Sequence, residues 1–237
     1  MIRIEALAVR AGSFEVRDIS FEVPTGAYGV LMGKTGTGKT TILEAIAGLK
    51  PILAGRIVLG ERDVTARKPA ERNLGYVPQD GALFSTMPVR EQLAFALSIR
   101  KASRDEIDRT VTELALLLEI RPLLDRTPLG LSGGEQQRVA LGRALAFHPS
   151  TLCMDEPLSA LDEETREGMY ALLEHIRERT GVTVLHVTHN LSEARRLADT
   201  VLLLDAGTIR QVRPDALTKP PTARSSKDRE NTPTPIS

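Results

Sequence analysis

The octapeptide Gly33-Lys34-Thr35-Gly36-Thr37-Gly38-Lys39-Thr40 decides the fold, because it matches G-x-x-x-x-G-K-[ST] at every fixed position. Glycines let a backbone wrap around phosphate oxygens, and a helix that follows such a loop presents its N-terminus to the anion. A short apolar run over residues 28–32 precedes the loop. Apolar residues at helical spacing follow it at Ile42, Leu43, Ile46 and Leu49. The order strand, glycine-rich loop, helix therefore predicts a phosphate-binding loop in an α/β domain.

Two residues of this loop are expected to carry the phosphate chemistry. Lys39 is predicted to reach the β- and γ-phosphates of a nucleotide, and the Thr40 hydroxyl to coordinate Mg²⁺. The simpler interpretation is a glycine-rich turn that contains a lysine by accident. The preceding strand and the following amphipathic helix favour phosphate binding.

A pair of carboxylates ends a second apolar strand, Leu152-Cys153-Met154-Asp155-Glu156. A strand end beside the phosphate loop is where a P-loop enzyme places the aspartate that organises Mg²⁺. Asp155 is predicted to take that role through a water of the Mg²⁺ shell. Glu156, one residue further on, is placed to polarise the attacking water. Cys153 is interpreted as a small buried apolar residue.

A third motif, Leu131-Ser132-Gly133-Gly134-Glu135-Gln136-Gln137-Arg138, comes directly before a predicted helix. Its hydroxyl, its glycine amides and the helix N-terminus form a second candidate anion site. The alternative is an ordinary helix start, because serine followed three residues later by glutamate is also a capping box. Both interpretations stay open from these residues alone.

Composition excludes several classes of protein. The chain has 237 residues, with 31 Lys and Arg against 31 Asp and Glu, so its formal net charge is zero. This balance argues against a nucleic-acid binder that works by bulk basic charge. One cysteine excludes a disulfide framework, and no apolar run approaches the roughly 18 residues of a membrane span. We therefore expect a soluble, cytosolic chain whose membrane role, if it has one, depends on a partner.

The pattern along the chain predicts one domain over residues 1–213. Alternating apolar residues over 2–9 and 19–23 predict antiparallel strands, and helical spacing dominates residues 85–150. Strands alternate with helices in the last third, which predicts a mostly parallel sheet with right-handed crossovers. Residues 214–237 are rich in Pro, Thr, Ser and charge, and are predicted to form a disordered tail.

Taken together, these motifs resemble the ATP-binding subunit of an ABC transporter over residues 2–212. Residues 131–138 match the signature sequence of that family. Gln79 in Tyr76-Val77-Pro78-Gln79 resembles the Q-loop glutamine, Ser159-Ala160-Leu161-Asp162 resembles the D-loop, and His189 resembles the switch histidine. The resemblance implies a P-loop NTPase core with a mostly parallel sheet, an antiparallel β subdomain and an inserted α-helical signature subdomain.

The resemblance also implies roles for individual residues. Those expected to contact ATP are Gly33, Lys34, Thr35, Gly36, Thr37, Gly38, Lys39, Thr40, Thr41 and Phe14. Those expected to act in hydrolysis are Glu156 as base, His189, Gln79 and Lys39, with Thr40, Gln79 and Asp155 holding Mg²⁺. Those expected to act on the nucleotide of a second chain in an ATP-dependent homodimer are Ser132, Gly133, Gly134 and Glu135, with Asp162 at the dimer interface.

The partners implied by the resemblance are integral membrane permease subunits and an extracytoplasmic substrate-binding protein, with no nucleic acid. The chain would then lie peripherally on the cytoplasmic face of the membrane. Residues 124–130 resemble bacterial importers and lack the Glu-x-Gly element of exporters. Gly26-Ala27-Tyr28 and the compact first hairpin resemble oxyanion systems such as molybdate or tungstate importers.

Two points leave alternatives open. The family usually stacks adenine on an aromatic residue of the first hairpin, where this chain has Ala11. Phe14 either substitutes from a shifted position or belongs to the core. A soluble ABC ATPase acting on DNA or ribosomes is the other functional class, although only about ninety residues, without sustained heptads, separate Lys39 from Ser132. A small-molecule P-loop kinase would leave the signature and His189 without a role.

Overall fold

The computed structural model describes residues 1–12, 14–205 and 207–217. The strands are β1 (Ile2–Ala11), β2 (Phe14–Val23), β3 (Tyr28–Gly33), β4 (Ile52–Leu59), β5 (Arg62–Asp63), β6 (Leu74–Val77), β7 (Thr151–Asp155), β8 (Thr183–Thr188), β9 (Thr200–Asp205) and β10 (Thr208–Val212). The helices are α1 (Lys39–Ala47), α2 (Val89–Ile99), α3 (Arg104–Leu117), α4 (Gly133–Leu145), α5 (Glu163–Thr180) and α6 (Leu191–Leu197). Three short 3-10 helices lie at Pro69–Glu71, Arg121–Leu123 and Pro214–Ala216.

The central sheet has six strands in the order β10-β9-β3-β8-β7-β6. Strands β3, β6, β7, β8 and β9 run parallel to their neighbours, and only the edge strand β10 is antiparallel. Because β3, β7 and β8 are parallel, their carboxyl ends meet at one edge of the sheet. Met32 pairs with Thr188, and Asp155 pairs with Val187. The predicted parallel sheet is confirmed, and it sets the phosphate loop beside the ends of β7 and β8.

A smaller antiparallel sheet packs on the other side of α1, with the order β2-β1-β4-β5. The apolar face of this sheet shares one core with α1 and with strand residues of the central sheet. Representative members of that core are Ile4, Leu7, Ile42, Ile46 and Leu185. The helix that follows the phosphate loop is therefore held between two sheets, which fixes its N-terminal end.

The helices α2, α3 and α4 lie within residues 89–145 and pack around a second core, which also receives one face of α5. Gly142 of α4 allows the closest approach, since a Cβ there would lie 2.5 Å from Leu93 and 2.7 Å from Leu118. Among the helices that the structure describes, none combines the length and the apolar character needed to cross a membrane.

The predicted disordered tail begins too early. Pro214–Ala216 form a 3-10 helix, and Leu217 is only 6% exposed. The guanidinium of Arg195 donates a hydrogen bond to the Leu217 carbonyl oxygen. The prediction was wrong for residues 214–217 because one leucine in a polar context is enough to anchor a short turn on the core. Residues 218–237, the rest of the predicted tail, lie outside the described residues.

Candidate functional site: a phosphate loop beside paired carboxylates

The phosphate loop runs from the end of β3 to the start of α1 and is shaped by its glycines. Gly36 and Gly38 have φ values of 81° and 97°, a region that side chains with a Cβ rarely adopt. A Cβ on Gly33 would lie 2.6 Å from the Leu204 carbonyl oxygen. The Lys39 side chain is buried and its Nζ donates to the carbonyl oxygens of Gly33 and Lys34, both at 2.9 Å. The loop therefore curls around its own lysine, whose ammonium group is fixed by two backbone carbonyls.

Phe14 lies directly against this loop. A Cβ on Gly38 would come within 2.7 Å of the Phe14 ring, so the ring packs on the glycine backbone. The side chain is 39% exposed and is absent from the two buried cores. Phe14 is thus an apolar wall beside the phosphate loop rather than a core residue. Thr41, in contrast, is a buried residue of α1.

Asp155 ends β7 beside the first turn of α1. The Thr40 hydroxyl donates to Asp155 Oδ1 at 3.2 Å. Burial raises the pKa of Asp155, and the negative charges of Glu156 and Glu44 add to the rise, while the Thr40 bond and Lys39 oppose it. A carboxylate that is only 3% exposed among other acids is a charge that a cation would stabilise.

Glu156 and His189 face each other at the ends of neighbouring strands. Glu156 has a φ of 44°, and its N–H donates to the Val187 carbonyl oxygen at 2.8 Å. The left-handed backbone turns the Glu156 side chain toward His189, whose Nδ1 donates to Glu156 Oε2 at 3.1 Å. The His189 side chain remains 60% exposed. The position of the Glu156 carboxylate is thus fixed by its hydrogen bond with the His189 imidazole.

Gln79 and Asp162 lie at the edges of this site. Gln79 follows β6 and is exposed, and no hydrogen bond joins it to Thr40 or Asp155 within the part of the chain that the structure describes. Asp162 caps α5, since its side chain accepts from the backbone N–H of Thr165 at 2.9 Å and from the Thr165 hydroxyl at 2.7 Å. These bonds lower the pKa of Asp162 and keep it ionised.

The signature residues start α4 through a complete capping box. Ser132 Oγ accepts from the Glu135 N–H at 3.2 Å, and Glu135 Oε2 accepts from the Ser132 N–H at 2.7 Å. The ordinary helix-start interpretation of this motif is therefore realised, and it leaves the amides of Gly133 and Gly134 for another acceptor. Over the described residues, no hydrogen bond or ion pair connects residues 131–138 with the phosphate loop.

Sequence reasoning missed a residue that links α4 to the segment after Gln79. Arg143 Nη1 donates to the Ala82 carbonyl oxygen at 2.7 Å, and Nη2 donates to the Gly81 carbonyl oxygen at 3.3 Å. The same guanidinium stands 5.2 Å from the centre of the Phe84 ring. In the sequence Arg143 is one of several charges on a predicted helix, and nothing in its spacing distinguishes it.

The arrangement fits a Mg²⁺ ion that is shared with a phosphate ligand. The Thr40 hydroxyl and the Asp155 carboxylate are the hard oxygen donors that Mg²⁺ prefers, and Mg²⁺ usually takes only one or two protein carboxylates beside substrate phosphates. Within the described ranges, no group of three or more His, Cys, Asp and Glu residues could hold a metal ion by itself. Thr40 and Asp155 are thus the two residues here that could contribute oxygen donors to such an ion.

Comparison with known proteins agrees with this geometry. Residues 16–159 match the family described as ABC transporter. The chain is 44% identical over 212 residues to the molybdate/tungstate import ATP-binding protein WtpC of Pyrococcus abyssi, covering 90% of this chain and 62% of that protein. It is 42% identical over 211 residues to the sn-glycerol-3-phosphate import ATP-binding protein UgpC of Ruegeria pomeroyi, covering 89% and 60%. The chain thus spans about three-fifths of the length of these relatives.

A solved structure shares the fold. The dimeric post-hydrolysis ATP-binding cassette MJ0796, bound to ADP and Pi, superposes with a TM-score of 0.79 at 26% identity, covering 90% of this chain and 98% of that one. The family match covers more than half of the chain and includes the phosphate loop and the paired carboxylates. The chain therefore belongs to the ABC transporter family.

Proposed function

We propose that this chain binds and hydrolyses ATP to power a membrane transporter of the importer type. One observation carries the proposal: the phosphate loop, Asp155 and the Glu156–His189 pair converge at the ends of three adjacent parallel strands. The names of the relatives, which are import ATP-binding proteins, support the importer type.

Binding of ATP would use the phosphate loop. The backbone amides of the loop and the N-terminus of α1 would attract the phosphate oxygens, and Lys39 supplies a positive charge that is already fixed by two backbone carbonyls. Phe14 gives the base or ribose an apolar surface next to Gly38. Thr40 and Asp155 would hold Mg²⁺, with Gln79 completing the site from the end of β6. When bound, Mg²⁺ neutralises charge that develops on the phosphates.

Hydrolysis would use Glu156 as the group that orients the attacking water and accepts its proton. His189 holds the carboxylate by the 3.1 Å bond and leaves its other ring nitrogen free to face the γ-phosphate. Most of the catalytic effect comes from this positioning, since phosphoryl transfer needs little covalent chemistry from the protein.

A second copy of the chain would complete each site. Gly133 is exposed in the first turn of α4, yet within the described residues the signature segment makes no hydrogen bond to its own phosphate loop. A head-to-tail homodimer would place Ser132 to Glu135 of one chain on the nucleotide of the other, with Asp162 near the contact. The dimeric form of the solved cassette supports this arrangement.

The transporter partner would dock beside Gln79. Phe84 is 40% exposed, and its ring centre lies 4.9 Å from that of Phe95. The Arg143 guanidinium lies 5.2 Å from the centre of the Phe84 ring. An exposed aromatic side chain of this kind suits contact with a short helix of a permease subunit. The chain would then work peripherally at the cytoplasmic face of the membrane, with an extracytoplasmic substrate-binding protein in the complete system.

The transported substrate is proposed to be an oxyanion such as molybdate or tungstate. The support is the name of the Pyrococcus relative, at 44% identity, together with the first-hairpin sequence. The glycerol-phosphate relative is named for an anion that is also tetrahedral at phosphorus. Uptake of molybdate by cells that carry the complete transporter, with and without this chain, tests the choice.

Nucleotide binding and hydrolysis are tested with Lys39→Ala. The variant should lose ATP affinity, measured with a fluorescent ATP analogue, because the fixed positive charge at the phosphates is gone. Lys50→Ala is the matched control, since Lys50 lies outside the phosphate loop. Its Nζ pairs with Glu44 Oε2 at 2.7 Å. Equal ATP affinity in the Lys39 and Lys50 variants, or no Mg²⁺-dependent hydrolysis by the parent, would refute the proposal.

Partner docking is tested with Phe84→Asp and Met87→Asp. A charge on this face should abolish co-purification with the permease while the isolated variant still binds ATP. Ile99→Asp is the control, because Ile99 is a more exposed apolar residue at the far end of α2. Assembly of an intact complex with both replacements would place the docking surface elsewhere.

A further inference from the structure

Three polar side chains are buried beneath the loop that carries His189. Tyr28 on β3, His186 on β8 and Glu193 on α6 are all less than 3% exposed. Nε2 of His186 faces Glu193 Oε2 at 3.3 Å, and Nδ1 lies 2.9 Å from the Tyr28 hydroxyl. Because a carboxylate faces Nε2, the proton of a neutral ring belongs on Nε2, and Nδ1 accepts from the Tyr28 hydroxyl. The three groups form one buried chain across two strands and a helix.

This chain joins the two ends of the His189 loop. Strand β8 ends at Thr188 and α6 begins at Leu191, so only His189 and Asn190 connect them. The Asn190 N–H donates to the Thr188 hydroxyl at 3.0 Å, which ties the loop to its strand. His186 precedes the loop and Glu193 follows it, so their contact fixes the distance between strand and helix.

Electrostatics agree with a close contact at this point. Burial alone would raise the pKa of Glu193, but interaction with His186 and Thr188, with a smaller effect of the positive charge of Arg166, outweighs it and holds that pKa below its ordinary value. Thr188 is the last residue of β8, directly before His189. Glu193 therefore acts on the strand end that leads into the His189 loop.

Stability alone does not explain these groups. Replacing buried polar and charged partners together with apolar residues of similar volume is often neutral or stabilising, because removing such groups from water is costly. Here the cost is high, since neither His186 Nε2 nor Glu193 Oε2 makes a well-aligned hydrogen bond despite complete burial. Buried polar groups that stability does not require define geometry or serve function.

We propose that Glu193 is a positioning residue that holds the His189 loop in place and so sets the rate of hydrolysis rather than the affinity for ATP. The effect passes through the contact of Glu193 with His186. The proposal rests on the proposed function, because it assigns the loop a part in hydrolysis. It also makes a structural claim that holds without nucleotide: the order of residues 188–192 depends on Glu193.

The first test compares Glu193→Gln with Glu174→Gln. Glu174 of α5 pairs with Arg196 of α6 at 2.9 Å and is more exposed than Glu193, and so serves as the matched control. Glu193→Gln should lower kcat about tenfold and leave ATP affinity within about twofold. In the nucleotide-free chain it should also speed amide hydrogen exchange over residues 188–192, with residues 33–39 unchanged. Glu174→Gln should change none of these. Parental kcat and parental exchange in Glu193→Gln would overturn the proposal.

The second test separates positioning from stability. Glu193→Leu leaves His186 Nε2 buried without a partner and should lower the midpoint of urea unfolding. A triple variant that adds His186→Leu and Tyr28→Phe removes all three buried polar groups and should recover it. Low turnover in the recovered triple variant supports positioning, and turnover that returns with stability overturns it. If the parent hydrolyses no ATP, the proposed function fails, and the hydrogen-exchange comparison still decides the structural claim.

Discussion

The phosphate loop and the signature segment are both glycine-rich and both precede a helix, but they use their glycines differently. In the phosphate loop, the chain itself requires the glycines: Gly38 has a φ of 97°, and Gly33 lies against the Leu204 carbonyl oxygen. In the signature segment neither glycine has a positive φ, and a Cβ on Gly133 would meet only Leu161, at an ordinary 3.6 Å. The conformation and packing of the phosphate loop therefore require glycine at Gly33 and Gly38. Neither the backbone conformation nor the packing of the chain requires glycine at Gly133.

The difference indicates which site is incomplete. A glycine that neither the backbone conformation nor the packing requires leaves room for something outside the chain to approach. Gly134 differs from Gly133 because packing does require it: a Cβ there would lie 2.6 Å from the Thr165 side chain at the start of α5. Only the outer face of the signature turn is therefore free, and a phosphate of a nucleotide on a second chain is the ligand that we propose for it.

The largest effect tests whether two chains are needed. Glu156→Gln should reduce steady-state hydrolysis about 10²–10⁴-fold, because the positioned base is lost while the phosphate loop is intact. The variant should then form a dimer with Mg²⁺-ATP on size-exclusion chromatography, and Ser132→Arg should return it to a monomer. Parental turnover would remove Glu156 from the base role. If the variant stays a monomer with Mg²⁺-ATP, and Ser132→Arg changes nothing, the signature segment does not bind the nucleotide of a second chain.

A second variant tests the claim that the fold requires Gly38. Gly38→Ala should destabilise the chain by about 1–3 kcal/mol, because alanine is strained at this φ and its Cβ would press on Phe14 and Val16. Thermal unfolding without nucleotide measures the change. Gly168→Ala is the control, since Gly168 is helical with open space around it and should gain stability. An unchanged melting temperature in Gly38→Ala would mean that the loop relaxes easily.

Gly133→Ala gives the opposite pattern. The variant should melt at or above the parental temperature, because alanine is favoured over glycine in the first turn of a helix. Its turnover should fall about tenfold or more, since the added methyl group lies where a ligand of the second chain would approach. Turnover and melting temperature measured on the same preparation separate the two effects. Parental turnover would show that the outer face of the signature turn is not a ligand surface.

Local pattern was sufficient to predict the elements that carry the site. The run before the phosphate loop became β3, and the helical spacing after it became α1. The capping-box pattern at Ser132 formed in full. A capping box depends on residues three apart, and such short-range contacts can be read from sequence.

Contacts between distant elements could not be predicted from the pattern. The pattern places His186 in a strand, but the sequence does not show that Glu193 packs against it from the seven-residue helix α6. Phe14 was left open for the same reason, since its place on Gly38 depends on how the two sheets pack. Leu217 was assigned to the tail although it packs on the core. In each case the packing of distant elements determines the surroundings of the residue, and the local sequence does not predict them.

The smallest predicted effect concerns the cost of keeping Asp155 ready for a cation. Burial raises the folded-state pKa of Asp155, so the unfolded chain releases this proton at lower pH than the folded chain does. Stability therefore falls as the pH rises above the ordinary value for aspartate and through the raised folded value, and it stays lower at neutral pH.

Asp155→Asn removes this cost, because asparagine does not ionise. Without nucleotide or Mg²⁺ at pH 7, the variant should melt about 2–4 °C higher, which corresponds to about 1 kcal/mol for a chain of this size. The gain should shrink as the pH falls toward the ordinary pKa of aspartate. Asp63→Asn is the control of opposite sign, since hydrogen bonds from Arg56 and Thr65 lower the pKa of Asp63 and its charge favours the folded chain. If Asp155→Asn melts lower than the parent, the hydrogen bond from Thr40 stabilises the Asp155 carboxylate by more than the burial of its charge costs. The ionised carboxylate would then favour the folded chain without a bound cation, contrary to our proposal.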